Sequence, residues 1–598
     1  MKNHFPTEQP KTQSGNRFVN TIRPHRLFLT LVLVWTIFLG WNISKTGQWS
    51  AWINGDIQSI LTLRYWSRDG FFKPHAFLLI PQGYTPFVSL FDGTDLEDHA
   101  QGSWYVKDGD LVRRIYYNHF PNFNLIPLAI VTSVAGSEHK FLFQLVQMFQ
   151  STIGFIFLYA FLYALFRSRI AASIASGSYI ISNLYVDWVH ATNIAVDDFF
   201  KYQLLFYSVI EKNACANYRK IISAVMWLTY FFMCLTTLES IVFGYAWIVG
   251  YDLFNDYRMR WKRWIVFASA AFLARAVQMI QSLVAFGWDG AMADWFGRWN
   301  TMANQDGRAS ILEHFLSISR ELRYLIGFGW DKHRIIELHL LVIFFVAFTG
   351  LGLLLLAKNE KERCGSWWKT KALIPAILLI AGSGFGFIFP GASWMRYEGR
   401  QFIPFFTAMT AYLIIEWPTL KGKTLKKWVV LLLVVPIFGV IIRQTYLTIT
   451  NIQKGTPTYS FGKYDDRFFQ LGNEIHKNTD NRTSMVFILQ QSADYIPFLP
   501  NPQFPKREGY ALDAQIMYAA DANILAYKDQ TRLIQQLESV VEKTNGIVTP
   551  YVVADSAEGL TGIKNQLIKL GYSSTREEPD MLVPAQPWVG MEFKLNQR

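Results

Sequence analysis

The sequence predicts a polytopic α-helical membrane protein of about eleven spans with an external α/β domain at its C-terminus. Three observations predict it. The chain is 51% apolar and 16% aromatic but only 17% charged, thinner in charge than a soluble average. Apolar runs recur up to Tyr446, many near the roughly 20 residues that a helix needs to cross hydrocarbon, where only an internally hydrogen-bonded backbone is stable. Beyond Tyr446 the chain turns polar, and helix and strand periodicities alternate. A single soluble core is excluded. The net charge of +12 falls in short Lys/Arg clusters between apolar runs rather than on one face, so it signals topology and gives no support to nucleic-acid binding.

The first run, Leu27 to Ile43, follows Arg17, Arg23 and Arg26 as a signal sequence would, but no A-x-A cleavage site follows it. It is expected to remain as an anchor, with residues 1–26 as a cytosolic tail. Further spans are expected at 140–166, 170–186, 199–212, 221–237, 238–254, 264–288, 335–357, 373–390, 402–417 and 428–446. With the N-terminus inside, the inner turns hold Arg167/Arg169, Lys212/Arg219/Lys220, Arg258/Arg260/Lys262/Arg263, Lys358/Lys361/Arg363/Lys369/Lys371 and Lys421/Lys423/Lys426/Lys427. Every inner turn is basic, as the positive-inside rule requires. Leu125–Val134 is apolar but short and carries Pro127; counting it as a span would put all these turns outside, so it is expected to lie on the external interface.

Residues 44–139 then form a long external loop and 289–334 another, with a helix over Ile311–Phe328. Residues 27–446 form the transmembrane domain, and an odd number of spans leaves 447–598 outside. There, helices are expected at Asp465–Lys477, Gln530–Lys543 and Ser556–Leu570, and strands at Ser484–Leu489 and Tyr551–Ala554. Cys215, Cys234 and Cys364 show no C-x-x-C spacing and all precede this region, so it folds without disulfides or a thiolate metal site.

Five places could carry chemistry. Asp56, in Trp52-Ile-Asn-Gly-Asp-Ile-Gln58, follows the first span closely, although Asn-Gly-Asp is also ordinary turn chemistry. Asp197 and Asp198, followed by Phe199-Phe200, stand where the chain is expected to turn outside between spans three and four; ionisable groups at membrane depth tend to mark binding or proton sites. Tyr116-Tyr-Asn-His-Phe-Pro121 opens the interfacial helix and offers Tyr117 and His119. Arg396 and Arg400 break the basic-inside pattern in an external turn, where a guanidinium fork suits phosphate; a salt bridge with Glu398 or snorkelling to headgroups are the plain alternatives. Arg275, near the middle of a span, needs a partner, either Glu239 or a lipid phosphate.

An acid soon after the first span, a Tyr-x-x-His-x-Pro-type entry to an interfacial helix, an acid after span three and a late Arg-x-x-x-Pro occur here in one order. Together they resemble the C-type glycosyltransferase superfamily (GT-C fold), whose members include protein O-mannosyltransferases, the aminoarabinose transferase acting on lipid A and oligosaccharyltransferase catalytic subunits. Asp56 matches the first-loop acid, Tyr117, His119 and Pro121 the helix entry, Asp197 the second-loop acid, and Arg400 with Pro404 the late motif. The chain differs from many relatives in having Pro121-Asn122 for Pro-Pro, and neither Asp56 nor Asp197 stands in an Asp-x-Asp pair.

The resemblance implies an enzyme of a bacterial inner membrane, with its C-terminal domain periplasmic. It would transfer a sugar from a polyprenyl-phosphate donor, among membrane lipids, to a lipid, glycan or protein acceptor that the residues leave open. Asp56 would be the general base and Asp197 a supporting acid, with Asp198, Glu239, Arg275, Tyr117 and His119 lining the substrate site and Arg396 and Arg400 on the phosphate. If a divalent cation takes part, the oxygens of Asp56 and Asp197 suit Mg2+ or Mn2+. The rival reading is a multi-pass transporter or a flippase for lipid-linked glycans, which should show paired repeats and broken helices. No clear halves are found, and a long first loop with an outer domain suits an enzyme working at one face.

Overall fold

The computed structural model describes residues 25–46, 59–60, 63–64, 83–84, 102–107, 110–117, 122–136, 139–180, 195–256, 258–302, 311–326, 350–358, 360–361, 370–390, 396–420, 424, 427–428, 439, 441–450, 453, 466–480, 483–491, 514–527, 529–543, 546–582 and 588–596. The spans expected at 335–357 and 428–446 lie largely outside these residues.

Helix α1 (Arg26–Thr46) coincides with the first apolar run. The first loop then contributes strands that its sequence did not announce: β1 (Gly83–Tyr84), β2 (Gly102–Lys107) and β3 (Asp110–Tyr117) form an antiparallel sheet in the order β1-β3-β2. The short apolar stretch is helix α2 (Ile126–Ala135), preceded by a 3-10 turn at Asn122–Leu125. Pro127 fits its first turn, and Gly136, at φ +72°, closes it by donating its N–H to the Thr132 carbonyl at 3.0 Å.

The bundle continues with α3 (Lys140–Phe166), α4 (Arg169–Ile180), α5 (Ala195–Asn213), α6 (Ala216–Cys234) and α7 (Leu238–Asp256). Thr237 caps α7, its hydroxyl accepting from the Ser240 N–H at 3.2 Å. Helix α8 (Trp261–Met302) runs well past the predicted end of its span at 288 and enters the stretch read as an external loop. No proline interrupts 261–302, and Gly287, Gly290 and Gly297 each weaken a helix by only about 1 kcal/mol. Helices α9 (Ile311–Ile326), α10 (Leu373–Ile388) and α11 (Ile403–Glu416) follow, the last entered through a 3-10 turn at Arg396–Phe402.

Of the described helices, three have stretches long and apolar enough to cross a membrane by length and composition: Arg26–Ser44, Phe141–Phe166 and Trp261–Ile280. Their outer faces fit that reading. Leu33, Ile37, Phe149, Phe272 and, on the shorter apolar helix α10, Ile380 are exposed, which in water would be a large uncovered apolar surface. Inward, Phe155, Phe161, Tyr202, Trp247, Phe406 and Tyr412 share one core. Trp247 satisfies its indole N–H within that core on the Ser208 hydroxyl at 2.9 Å, tying α7 to α5.

The far end of α5 is held by a charge network. Arg263 of α8 grips both Glu211 oxygens at 2.6 Å and reaches Asp252 of α7 at 3.0 Å, while Lys212 bonds Asp252 at 2.6 Å and Asp256 at 2.7 Å. Several cations read as topology signals therefore also act as bolts between α5, α7 and α8.

The C-terminal region is a mixed sheet in the order β5-β4-β6-β9-β7, with β8 also on β9. Its elements are α12 (Asp466–Asn478), β4 (Ser484–Leu489), α13 (Ala514–Ala520), β5 (Asn523–Tyr527), α14 (Gln530–Lys543), β6 (Thr549–Ala554), α15 (Ala557–Lys569), β7 (Tyr572–Ser574), β8 (Asp580–Met581) and β9 (Val589–Leu595). Strands β5, β4 and β6 are parallel and β9 runs antiparallel to β6. Every residue of β4 is buried, which explains its continuous apolar run. Leu533, Leu537 and Val540 of α14 and Leu560, Ile563 and Leu567 of α15 cover the sheet at helical spacing.

Two outcomes are expected. Arg263→Ala leaves Glu211 and Asp252 buried without their guanidinium, so thermal unfolding in detergent should register a loss of about 3–5 kcal/mol, whereas Arg219→Ala on an exposed site should change little. Cys215, exposed between α5 and α6, should resist a membrane-impermeant maleimide in sealed cells while Glu577→Cys reacts; the opposite pattern would invert the topology.

Candidate active site

The site is built from the ends of helices that are distant in sequence. Helix α5 begins at Ala195, earlier than the sequence suggested, so Asp197 and Asp198 lie in its first turn rather than in a connecting turn. Acidic residues favour this position because the helix N-terminus carries partial positive charge and unsatisfied N–H groups. The second contributor is the 3-10 turn Arg396–Phe402, which brings Arg400 to the mouth of α11 just ahead of Pro404. Gly382 of α10 lets this turn come close: a Cβ there would stand 2.9 Å from the Gln401 carbonyl oxygen.

Asp198 and Arg400 meet. Arg400 Nη2 donates to Asp198 Oδ2, and Lys201 Nζ, one turn along α5, donates to Asp198 Oδ1 at 3.1 Å. All three side chains are at most 3% exposed. Burial in low dielectric strengthens the attraction but also imposes a desolvation cost of several kcal/mol per ion, so such charges persist only with good geometry. Of the plain alternatives for Arg400, snorkelling to headgroups does not fit a buried arginine gripped by the Asp198 carboxylate. Lys201 was not singled out from the sequence, yet its spacing, i+3 from Asp198 on a helix, is a readable pairing signal.

Neighbouring elements converge on the same end. Phe123, in the 3-10 turn that opens α2, stacks on Phe232 of α6 with centroids 5.0 Å apart and lies 6.0 Å from Phe200, two residues after Asp198. The 3-10 turn Asn122–Leu125 is thus brought beside the Asp198 turn. Lys201 Nζ sits 5.6 Å from the Phe243 ring of α7, and Glu239, one turn earlier on α7, is buried. Arg275 of α8 donates to the Cys234 carbonyl at 2.7 Å and to Gln278 Oε1. The first of these bonds caps the C-terminus of α6, where backbone carbonyls lack helical partners and a cation is favoured.

Tyr117 closes strand β3, and Arg396 opens the 3-10 turn. Asp56 and His119 lie outside the described residues. The structure thus gathers Asp198, Arg400, Glu239, Arg275 and the entry to α2 at one end of the bundle, and adds Lys201. Among the described residues, no cluster of three or more His, Cys, Asp or Glu could hold a metal ion. Asp198 is ill suited to a cation because both its oxygens already accept from positively charged groups.

No protein-family model matches the chain. No curated protein matches it either. Among solved structures, the chain is similar to the archaeal oligosaccharyltransferase AglB from Archaeoglobus fulgidus in complex with an inhibitory peptide and a dolichol-phosphate, with TM-score 0.47 and 10% identity over 96% of this chain and 75% of that one. An Archaeoglobus fulgidus oligosaccharyltransferase complex with zinc and sulfate gives TM-score 0.45 and 12% identity over 88% and 68%. The mycobacterial arabinofuranosyltransferase AftD, in its R1389S form, gives 0.44 and 10% over 96% and 42%.

Asp198→Asn should strip Arg400 and Lys201 of their carboxylate and destabilise the chain by about 3–5 kcal/mol in detergent unfolding. Adding Lys201→Met should recover part of that loss by removing one of the two cations that share the Asp198 carboxylate. A double variant as unstable as the single one would show that Lys201 is not part of the same charge balance.

Proposed function

We propose that this chain is a membrane glycosyltransferase that moves a sugar from a polyprenyl-phosphate donor to an acceptor at the outer face of a bacterial inner membrane. The observation that carries this reading is the buried contact between Asp198 and Arg400. It joins the acid region after the third expected span to the late arginine motif, beside the entry to the interfacial helix. The alternation of basic turns puts these features on one expected face, and the contact between Asp198 and Arg400 supports a common centre there.

In this reading Arg400, with Arg396 a turn earlier, binds the phosphate of the donor. Asp198 is a positioning residue: its carboxylate fixes the orientation of the Arg400 guanidinium. Asp56 takes the proton from the acceptor hydroxyl as that oxygen bonds to the anomeric carbon. The bond from the anomeric carbon to the phosphate oxygen breaks, and the polyprenyl phosphate leaves with the electron pair, its charge stabilised by the arginines. Asp197 orients the acceptor, and Tyr117 and His119 border it from the helix entry. A divalent ion, Mg2+ or Mn2+, would fall to the oxygens of Asp56 and Asp197.

The test is mass spectrometry of glycolipids and glycoproteins from cells with the protein, without it, and with Asp56→Asn. A glycan should be present only with the wild-type chain, while Asp56→Asn inserts at normal abundance and yields none. Full product from that variant would remove Asp56 from the chemistry. An unchanged glycan profile on deletion would remove the activity.

A further inference from the structure

The segment that follows Asp56 is held from the opposite end of the chain. Ile60 and Leu63 are buried in a small apolar cluster with Leu125, Leu128 and Ala129 at the interfacial helix and Phe143 of α3, and Tyr518 of α13 packs against it. Arg64, next in sequence, makes three different contacts there. Its Nη1 donates to the Tyr518 carbonyl at 3.0 Å and to Asp521 Oδ1 at 3.1 Å, and its guanidinium lies 4.6 Å from the centroid of the Tyr518 ring. Hydrogen bond, ion pair and cation–π contact all engage one planar group, a geometry that lysine cannot reproduce.

The receiving surface is itself rigidly mounted. Helix α13 is pressed onto α12 at Gly472, where a Cβ would stand 2.6 Å from the Ala519 Cβ and 2.7 Å from the Ile516 carbonyl oxygen. Phe469 meets Tyr518 edge-on with centroids 6.0 Å apart, and His476 Nδ1 lies 3.0 Å from the Ala520 carbonyl oxygen. Asp521 has a positive φ of +45°, a conformation that aspartate tolerates better than most residues, and β5 starts two residues later. The carboxylate that takes Arg64 is therefore fixed at the point where the crossover helix joins the C-terminal sheet.

Asp56 precedes the buried Ile60 by only four positions in the sequence, so Ile60, Leu63 and Arg64 belong to the same stretch of the first loop. We infer that Arg64 is a positioning residue through which the C-terminal domain, by Asp521 and Tyr518, holds the first-loop segment that carries the base. This role rests on the assignment of Asp56 proposed above; the docking contact itself does not. It also gives the C-terminal domain a task in the reaction: undocking it releases the loop and lowers turnover without touching the phosphate site.

The test uses the full-length chain in native membranes, with Arg64→Glu, Asp521→Arg, the two combined, and Arg64→Lys. Hydrogen exchange of peptides covering residues 59–64 reads docking, and the glycan yield per molecule of protein reads turnover. Each single charge reversal should speed exchange about ten-fold or more and lower yield by a similar factor, because a charged hydrogen-bonding group has lost its partner. The combined reversal should restore both readouts toward wild type, with Arg64→Lys intermediate. Unchanged exchange in both single variants would overturn the docking contact. Faster exchange with undiminished yield would overturn the positioning role. Full yield from Asp56→Asn, with the exchange responses intact, would overturn the role by removing the base, and would thereby identify the catalytic assignment, not the docking, as the error.

Discussion

The Asp198 carboxylate, shared between Lys201 on its own helix and Arg400 from a turn some two hundred residues later, is the constraint on which the rest of this architecture depends. Three charged side chains removed from solvent are tolerable only when they satisfy one another. The apolar packing of the bundle can slide by a methyl group at small cost, but this contact cannot. It fixes α11 against α5 at one end, while Glu211 and Lys212 fix α5 against α7 and α8 at the other. At 1.5 Å per residue α5 is about 28 Å long, so the two sets of polar bolts sit near opposite ends of this helix. Between them, Trp247 on Ser208 and the aromatic core hold the helices together.

Long, uninterrupted patterns were the most legible part of the sequence. Helix α3 occupies the expected 140–166, strand β4 the expected 484–489, and helix α14 the expected 530–543. Each has a clear apolar period or run and clear breaks. The hairpin β2-β3 was missed because Arg113 and Arg114 interrupt its alternation, although Asp108-Gly109 between the strands is a strong two-residue turn signal. The overlong α8 was missed because its polar second half looks like a loop when read by hydropathy alone. Strands β5 and β9 carry mixed polar and apolar residues, and pairing with distant segments, invisible to a local window, decides their state.

The site was legible in part. The acidic pair after the third run and the late arginine were singled out because each sits oddly for its place, and the structure brings Asp198 and Arg400 together. Asp198 is the buried partner of Arg400, a pairing that depends on which way α5 faces and so on where that helix begins. Lys201 and Arg64 were passed over because a lone cation near a membrane boundary is unremarkable until its partner, Asp198 in one case and Asp521 in the other, is known. For Arg275, a carbonyl at the end of α6 supplies a partner that a search for acids does not consider. Ion pairs between remote segments carry little local signal, which is why the elements were easier to read than the site.

The account's central claim is that the end of the bundle marked by Asp198 and Arg400 binds the phosphate of a polyprenyl carrier. Cryo-electron microscopy of the full chain in nanodiscs containing undecaprenyl phosphate tests it most directly. The account predicts phosphate density within hydrogen-bonding distance of Arg400, with the Asp198 to Arg400 contact kept. Phosphate density at the opposite end, beside Lys212 and Arg263, or none at Arg400 under saturating lipid, would contradict it.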